Sequence, residues 1–193
     1  MRIVGGAFRG RTIRAPAGAA TRPTSDRARE AIFNQLEHAA WSPGLSGVAV
    51  IDLFAGSGAL GLEALSRGAA LCVFVEADEQ ARASIRDNLD ALDPSGSLAG
   101  RSRILRRDAT ALGPSARAGV GPFGLALLDP PYGGGMGERA LRGLADGGWL
   151  TPGALCVLER GQREPAIEIE GFERLAGRRY GAAKTEVFRW SAA

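Results

Sequence analysis

The sequence predicts a parallel, doubly wound α/β sheet, on three observations. From Val48 onward, short apolar runs alternate with segments whose apolar residues recur at helical spacing. A glycine-rich loop joins the first apolar run to the first of those helices. The run that ends at Leu128 is followed by Asp129-Pro130-Pro131-Tyr132, at the strand end where such sheets bind ligands.

The elements follow in chain order. Residues 2–14 alternate loosely around Gly5-Gly6 and Gly10 and are expected to form a short hairpin, Arg2–Val4 against Arg11–Arg14. Pro16 to Ala20 is expected to be a linker. A helix should start at Ser25 or Thr24 as N-cap, with Asp26 in its first turn, and end before Trp41-Ser42-Pro43-Gly44. Ala28, Ile32, Phe33 and Leu36 are its apolar face. Val48–Leu53 is a buried strand, Gly58–Arg67 a helix, Leu71–Glu76 a second strand and Asp78–Leu92 a helix. Ser102–Arg107 is a weaker strand, Phe123–Asp129 a strong one, Met136–Leu144 a helix and Ala154–Glu159 another strand. Two strands near Phe172–Arg179 and Thr185–Trp190 close the chain. The expected division is a basic extension over residues 1–45 and a catalytic body over 46–193.

At 193 residues, 45% hydrophobic and 23% charged, the chain can bury one core without disulfides. No apolar run approaches the roughly 18 residues of a membrane helix, and no signal-like stretch opens the sequence. Cys72 and Cys156 lack metal-site spacing, and the single histidine, His38, leaves no His-rich site. A cytoplasmic monomer without metal is expected. The net charge of +3 is unevenly spread. Residues 1–29 carry seven arginines and one acid, while residues 30–193 hold 17 basic and 20 acidic groups. A +6 arm thus precedes a −3 body, an arrangement suited to phosphate contacts.

Val50 to Gly61 runs from strand through loop to helix, and Gly56-Ser57-Gly58-Ala59-Leu60-Gly61 matches the dinucleotide pattern GxGxxG. Glu76 stands where a ribose-binding acid is expected. The loop therefore indicates a nucleoside cofactor and leaves its kind open. Two features favour S-adenosylmethionine over NAD. Asp52 precedes the glycines, where a carboxylate attracts a cationic amino group and repels a pyrophosphate. Asp129-Pro130-Pro131-Tyr132 has no part in hydride transfer.

That second motif suits methylation of an exocyclic amine. The amine lone pair is delocalised into its ring, so the amine is a poor nucleophile. The Asp129 side chain and the Pro130 carbonyl are acceptors for its two N–H groups and for the positive charge that develops on attack. The prolines fix the backbone and remove donors, and Tyr132 offers a flat face on which a base stacks.

Asp52–Gly58 followed by Asp129–Tyr132 resembles a class I S-adenosylmethionine-dependent amino-methyltransferase. The string Met1-Arg2-Ile3-Val4-Gly5-Gly6 with Arg9-Gly10-Arg11, then Arg22-Pro23-Thr24-Ser25-Asp26-Arg27 and Arg29-Glu30-Ala31-Ile32-Phe33-Asn34, is similar to the RsmD family of 16S rRNA guanine-N2 methyltransferases. Arg179-Tyr180-Gly181 and Lys184-Thr185 fit as well. The resemblance implies a Rossmann-like, seven-stranded, mostly parallel sheet with an antiparallel last strand and an N-terminal β-hairpin and helix extension. It implies methylation of a guanine in 16S rRNA, with the small ribosomal subunit as partner. Carried onto the matching positions, Asp52, Phe54, Gly56 and Gly58 cradle the methionine end, Glu76 with Ala77 holds the ribose, and Asp108 with Ala109 meets the adenine. Asp129, Pro130, Pro131 and Tyr132 form the catalytic loop, and Arg9, Arg11, Arg14 and Arg22 contact RNA. Gly133-Gly134-Gly135-Met136-Gly137 departs from the family's bulkier residues, which bears on how that loop closes over a base.

Other readings stand beside this one. The same loop serves DNA adenine-N6 or a protein glutamine amide, the literal GxGxxG serves an NAD-dependent oxidoreductase, and a non-catalytic RNA-binding factor would keep the fold alone. Cys72, Cys156, Trp149 and Trp190 are expected in packing roles, His38 on the surface, and Tyr180-Gly181 in a turn. Phe33 is expected to pack its helix on the body, and by resemblance alone to line the cofactor pocket.

Overall fold

Complete burial selects the inner strands, and the chain order of strand and helix sets their direction. In the computed structural model, which describes residues 1–16 and 25–191, seven strands form one sheet in the order β3-β2-β1-β4-β5-β7-β6. They are β1 (Ala49–Leu53), β2 (Leu71–Val75), β3 (Ser102–Leu105), β4 (Phe123–Leu128), β5 (Leu150–Gly161), β6 (Phe172–Tyr180) and β7 (Ala183–Trp190). The first five are mutually parallel, and β7 runs antiparallel to both β5 and β6. The apolar runs of β1, β2 and β4 are buried on both faces, as parallel strands under helices must be.

Helices α1 (Asp26–His38), α2 (Ala59–Ser66), α3 (Glu79–Leu92) and α4 (Met136–Asp146) cover the sheet. Ile32, Phe33, Leu36, Leu62, Leu65 and Ile85 share one core with Val50, Leu125 and Val157. Ala140, Leu141 and Leu144 of α4 share the other with Ile51, Ala126 and Leu158. Ser25 caps α1, its hydroxyl accepting the Ala28 N–H at 3.1 Å; Thr24 lies outside the described residues, as do Arg22 and most of the expected linker. Asp78 caps α3 in the same way, from Ala81 at 2.8 Å.

The N-terminal hairpin pairs through a single bridge, Arg2 with Thr12. Its tip is drawn onto the end of α2 instead of extending a ladder. The Ala7 N–H donates to the Ser66 carbonyl at 2.8 Å, and the Ser66 hydroxyl donates to the Gly5 carbonyl at 2.6 Å. A Cβ on Gly6, at φ +74°, would lie 1.9 Å from that Ser66 carbonyl, so the approach requires glycine. Ile3 and Ile13 are buried in the α1–α2–α3 core. β5 begins four residues before the expected Ala154, because Thr151-Pro152-Gly153 interrupts the apolar run without ending the strand.

Candidate active site at the carboxyl ends of the strands

The glycine loop is shaped by three requirements. Phe54, at φ +59°, is a non-glycine residue in the left-handed region, and Gly56 and Gly58 follow at φ +55° and +79°. Such a conformation at a bulky residue costs about 1–3 kcal/mol and is held here by the packing of Phe54 on the α4-side core. A Cβ on Gly58 would sit 3.3 Å from Phe74 and Ile85. On Gly61 it would sit 2.4 Å from Phe74 and 2.5 Å from the Cys72 sulfur, so the third glycine lets α2 lie against β2.

Two carboxylates fasten this loop. Glu76, at the tip of β2, accepts the Gly56 N–H at 2.9 Å through one oxygen and the Asp78 N–H at 2.9 Å through the other. Asp52 accepts the Gly61 N–H at 2.9 Å and is 1% exposed. Burial pushes its carboxyl well above the ordinary range, and Asp129 and Glu76 add to the shift against the Gly61 hydrogen bond. Asp52 thus lies beneath the loop and ties it to α2. Ala77 and Asp108 are exposed at the same sheet edge, and Ala109 is buried. The Thr110 hydroxyl and N–H donate to Asp108 at 2.7 and 2.8 Å and hold its carboxyl below the usual value.

Glu76, Asp108 and Asp129 line one end of the sheet; Asp52, which the sequence suggests for the cofactor's amino group, is enclosed beneath the loop. This donor set fits a cofactor with cationic ammonium and sulfonium groups, a ribose diol and an adenine amine. It opposes a pyrophosphate.

The second motif stands beside the first because β4 neighbours β1. Leu53 and Leu128 are register partners, and the Asp129 N–H donates to the Leu53 carbonyl at 3.5 Å. Pro130 is buried, whereas Pro131 and Tyr132 are exposed. Tyr132, 53% exposed, is the only large hydrophobic residue so open among the described residues. Its hydroxyl donates to Glu159 at 2.9 Å. Partial burial, that hydrogen bond and the nearby carboxylates of Glu159, Asp129 and Glu164 raise its pKa, keeping the phenol neutral. Gly133, Gly134 and Gly135 all take positive φ, from +63° to +81°, a run that side chains would strain. The loop's unusual glycines are therefore matched to its path. The Gly133 N–H donates to Glu164 at 3.1 Å.

Glu159 and Glu164 did not emerge from the sequence as site residues. The available signal was a charged pair, Glu159-Arg160, closing a strand at its carboxyl end. The Leu128–Leu158 register sets Glu159 beside Asp129.

Of the arm's arginines, Arg9, Arg11 and Arg14 are exposed, and Arg22 lies outside the described residues. Arg29 is fully buried, 2.8 Å from Asp26 and 3.6 Å from Glu63. Glu63 also takes the Val4 N–H at 2.8 Å and the Arg67 guanidinium at 2.7 Å. Asn88 of α3 ties the arm to the glycine loop: it accepts the Arg14 N–H and donates to the carbonyls of Arg14 and Ser57, each at 2.9 Å. Phe33 is wholly enclosed in the core beneath the Arg67 guanidinium, so it packs and lines no cofactor surface.

The strand order, the reversed β7 and the paired loops at the β1 and β4 tips define a class I methyltransferase fold. A family model described as "Conserved hypothetical protein 95" matches residues 1–189, and the chain belongs to this family, that of RsmD. Ribosomal RNA small subunit methyltransferase D of Escherichia coli strain K12 is 38% identical over 159 residues, 82% of this chain and 74% of that protein. The protein of the same name from Haemophilus influenzae is 30% identical over 98% of this chain and 93% of its own. The solved structure of yhhF from Escherichia coli superimposes with a TM-score of 0.80 at 32% identity, covering 100% of this chain and 99% of that one.

Proposed function

We infer that the protein transfers a methyl group from S-adenosylmethionine to the exocyclic N2 amine of a guanine in 16S rRNA. The observation that carries the reading is the placement of Asp129-Pro130-Pro131-Tyr132 against the glycine loop, with the Tyr132 ring open to solvent. Family membership supports RNA over DNA, protein or a hydride-transfer reaction.

In this reading Gly56, Gly58 and Phe54 form the cradle, Glu76 and Ala77 meet the ribose, and Asp108 and Ala109 meet the adenine. The cofactor supplies an electrophilic methyl group when bound. Tyr132 stacks on the target base. The Asp129 carboxylate and the Pro130 carbonyl accept the amine's two N–H groups. They orient its lone pair and stabilise the charge that grows as the new bond forms. Asp52 acts from beneath, by holding the loop to α2.

Residues 1–45 serve as the RNA-contacting extension and 46–193 as the catalytic body, with Arg9, Arg11, Arg14 and Arg22 at phosphates. The substrate is the small ribosomal subunit or its precursor, and the enzyme works in the cytoplasm as a monomer without metal. Among the described residues no helix is long and apolar enough to cross a membrane. Incubation with radiolabelled S-adenosylmethionine and unmodified rRNA, DNA or release factor tests the reading. Label is expected in rRNA alone; label in DNA or release factor, with rRNA unlabelled, overturns it.

A further inference from the structure

The hairpin of β6 and β7 reaches the same sheet edge as the catalytic loop, because β6 runs parallel to β5. Ala182 of its turn lines an open groove with Tyr132, Gly133, Arg163, Glu164 and Pro165. The cations of this region fall into two groups. Arg160 is enclosed by Glu186, Glu138 and Glu164 at 3.1, 3.3 and 3.4 Å. Arg174 pairs with Glu186 at 3.0 Å, and Arg189 with Glu173 at 3.4 Å. Arg163, Arg178 and Arg179 are exposed, and none has an ion pair among the described residues.

Register adds a second observation. Arg160 opposes Lys184 on β7, and Lys184 opposes Arg179 on β6, so three cations stand in one row on one face. Like charges directly opposite across a ladder are destabilising. Three carboxylates offset the charge at Arg160, and Lys184 donates to the Glu164 carbonyl at 2.7 Å with Glu186 at 4.0 Å. Arg179 makes no ion pair among the described residues. The row also connects to the loop: Gly133 donates to Glu164, and Lys184 donates to the same residue.

We propose that Arg163 and Arg179 bind backbone phosphates of the RNA flanking the base on Tyr132. The hairpin tip would hold the strand on the far side of the site from the arm, which packs on α2 and α3. A run of phosphates is the partner that an uncompensated arginine group beside a base-stacking residue fits, by charge and by position. The proposal rests on the RNA-methylation reading, and its test is read by binding rather than by turnover.

The probe is 16S rRNA isolated from small subunits that lack the methyl mark, titrated from about 50 to about 300 mM salt. Substituting Arg163→Gln and Arg179→Gln together should weaken binding several-fold and lower the log–log salt slope by about 1.5, since each phosphate contact contributes about 0.7–0.9. S-adenosylmethionine affinity should not change, and the melting temperature should not fall, because Arg179→Gln relieves the repulsion with Lys184. Replacing the same two residues by lysine should restore most of the slope. Unchanged affinity and slope in the glutamine variant overturn the proposal, as does weaker binding with an unchanged slope. A wild-type protein that binds this RNA steeply with salt but never methylates it overturns the function reading and leaves the phosphate contacts standing.

Discussion

Tyr132 has two parts, and substitution separates them. Its ring is the exposed face and its hydroxyl is the tether to Glu159. Tyr132→Phe keeps the face, so methyl transfer should fall by less than about tenfold, in line with the loss of one hydrogen bond. Tyr132→Ala removes the proposed stacking face, worth about 1–3 kcal/mol, so KM for RNA should rise about tenfold or more. On the proposed reading Asp129→Ala removes an acceptor for the developing charge, so kcat should fall by about 100-fold or more with the fold intact. Single-turnover kinetics distinguish these outcomes. Asp52 gives a pH signature. Its buried carboxyl has a raised pKa, so the stability it contributes is present while it is protonated and is lost as pH rises through the folded-state value. Asp52→Asn does not ionise. Paired melts from about pH 4 upward should show the variant gaining on the wild type until the pH passes the folded-state value. The placement of the two motifs at strand ends was legible because each follows a buried apolar run. Glu159 and Glu164 were not, because strand register and a loop contact bring them to Tyr132 from at least 27 positions away.

At the scale of elements, the arm is bound more intimately than its charge suggests. Seven arginines read as a phosphate-binding surface, yet Arg29 is spent inside the protein on Asp26 and Glu63. The Arg29–Glu63–Arg67 group joins α1, α2 and the Val4 backbone. Glu63→Ala leaves two buried guanidinium groups without their shared carboxylate and should destabilise the protein by about 3–5 kcal/mol, measured by denaturant melts. Glu63 lies in an apolar helical stretch, where its burial is visible only once α1 and the arm are docked on it. The glycines of the arm were legible as a turn. Their reason, the close approach to Ser66, depends on a contact about 60 residues distant. The helix cap at Ser25 and the strand cores were legible because capping and burial on both faces are set within each segment.

For the whole molecule, the parallel sheet followed from the alternation of strands and helices, and the antiparallel β7 from the family resemblance. The insertion of β7 between β5 and β6 is a matter of long-range pairing. It brings the hairpin tip with Arg179 to the same edge as the Asp129–Tyr132 loop, with the arm docked on the helices of the β1–β2 side. Replacing Arg9, Arg11 and Arg14 by glutamine should lower the salt slope of rRNA binding by about 2 without changing S-adenosylmethionine affinity, as binding titrations would show. The central claim is chemical: a guanine N2 amine of 16S rRNA is methylated at Asp129. Mass spectrometric mapping of 16S rRNA tests it directly, in cells that lack this gene and in the same cells complemented with wild type or Asp129→Ala. One N2-methylguanine that disappears with the gene, returns with the wild type and stays absent with Asp129→Ala is the predicted result. An unchanged set of guanine methylations in all three strains would contradict it.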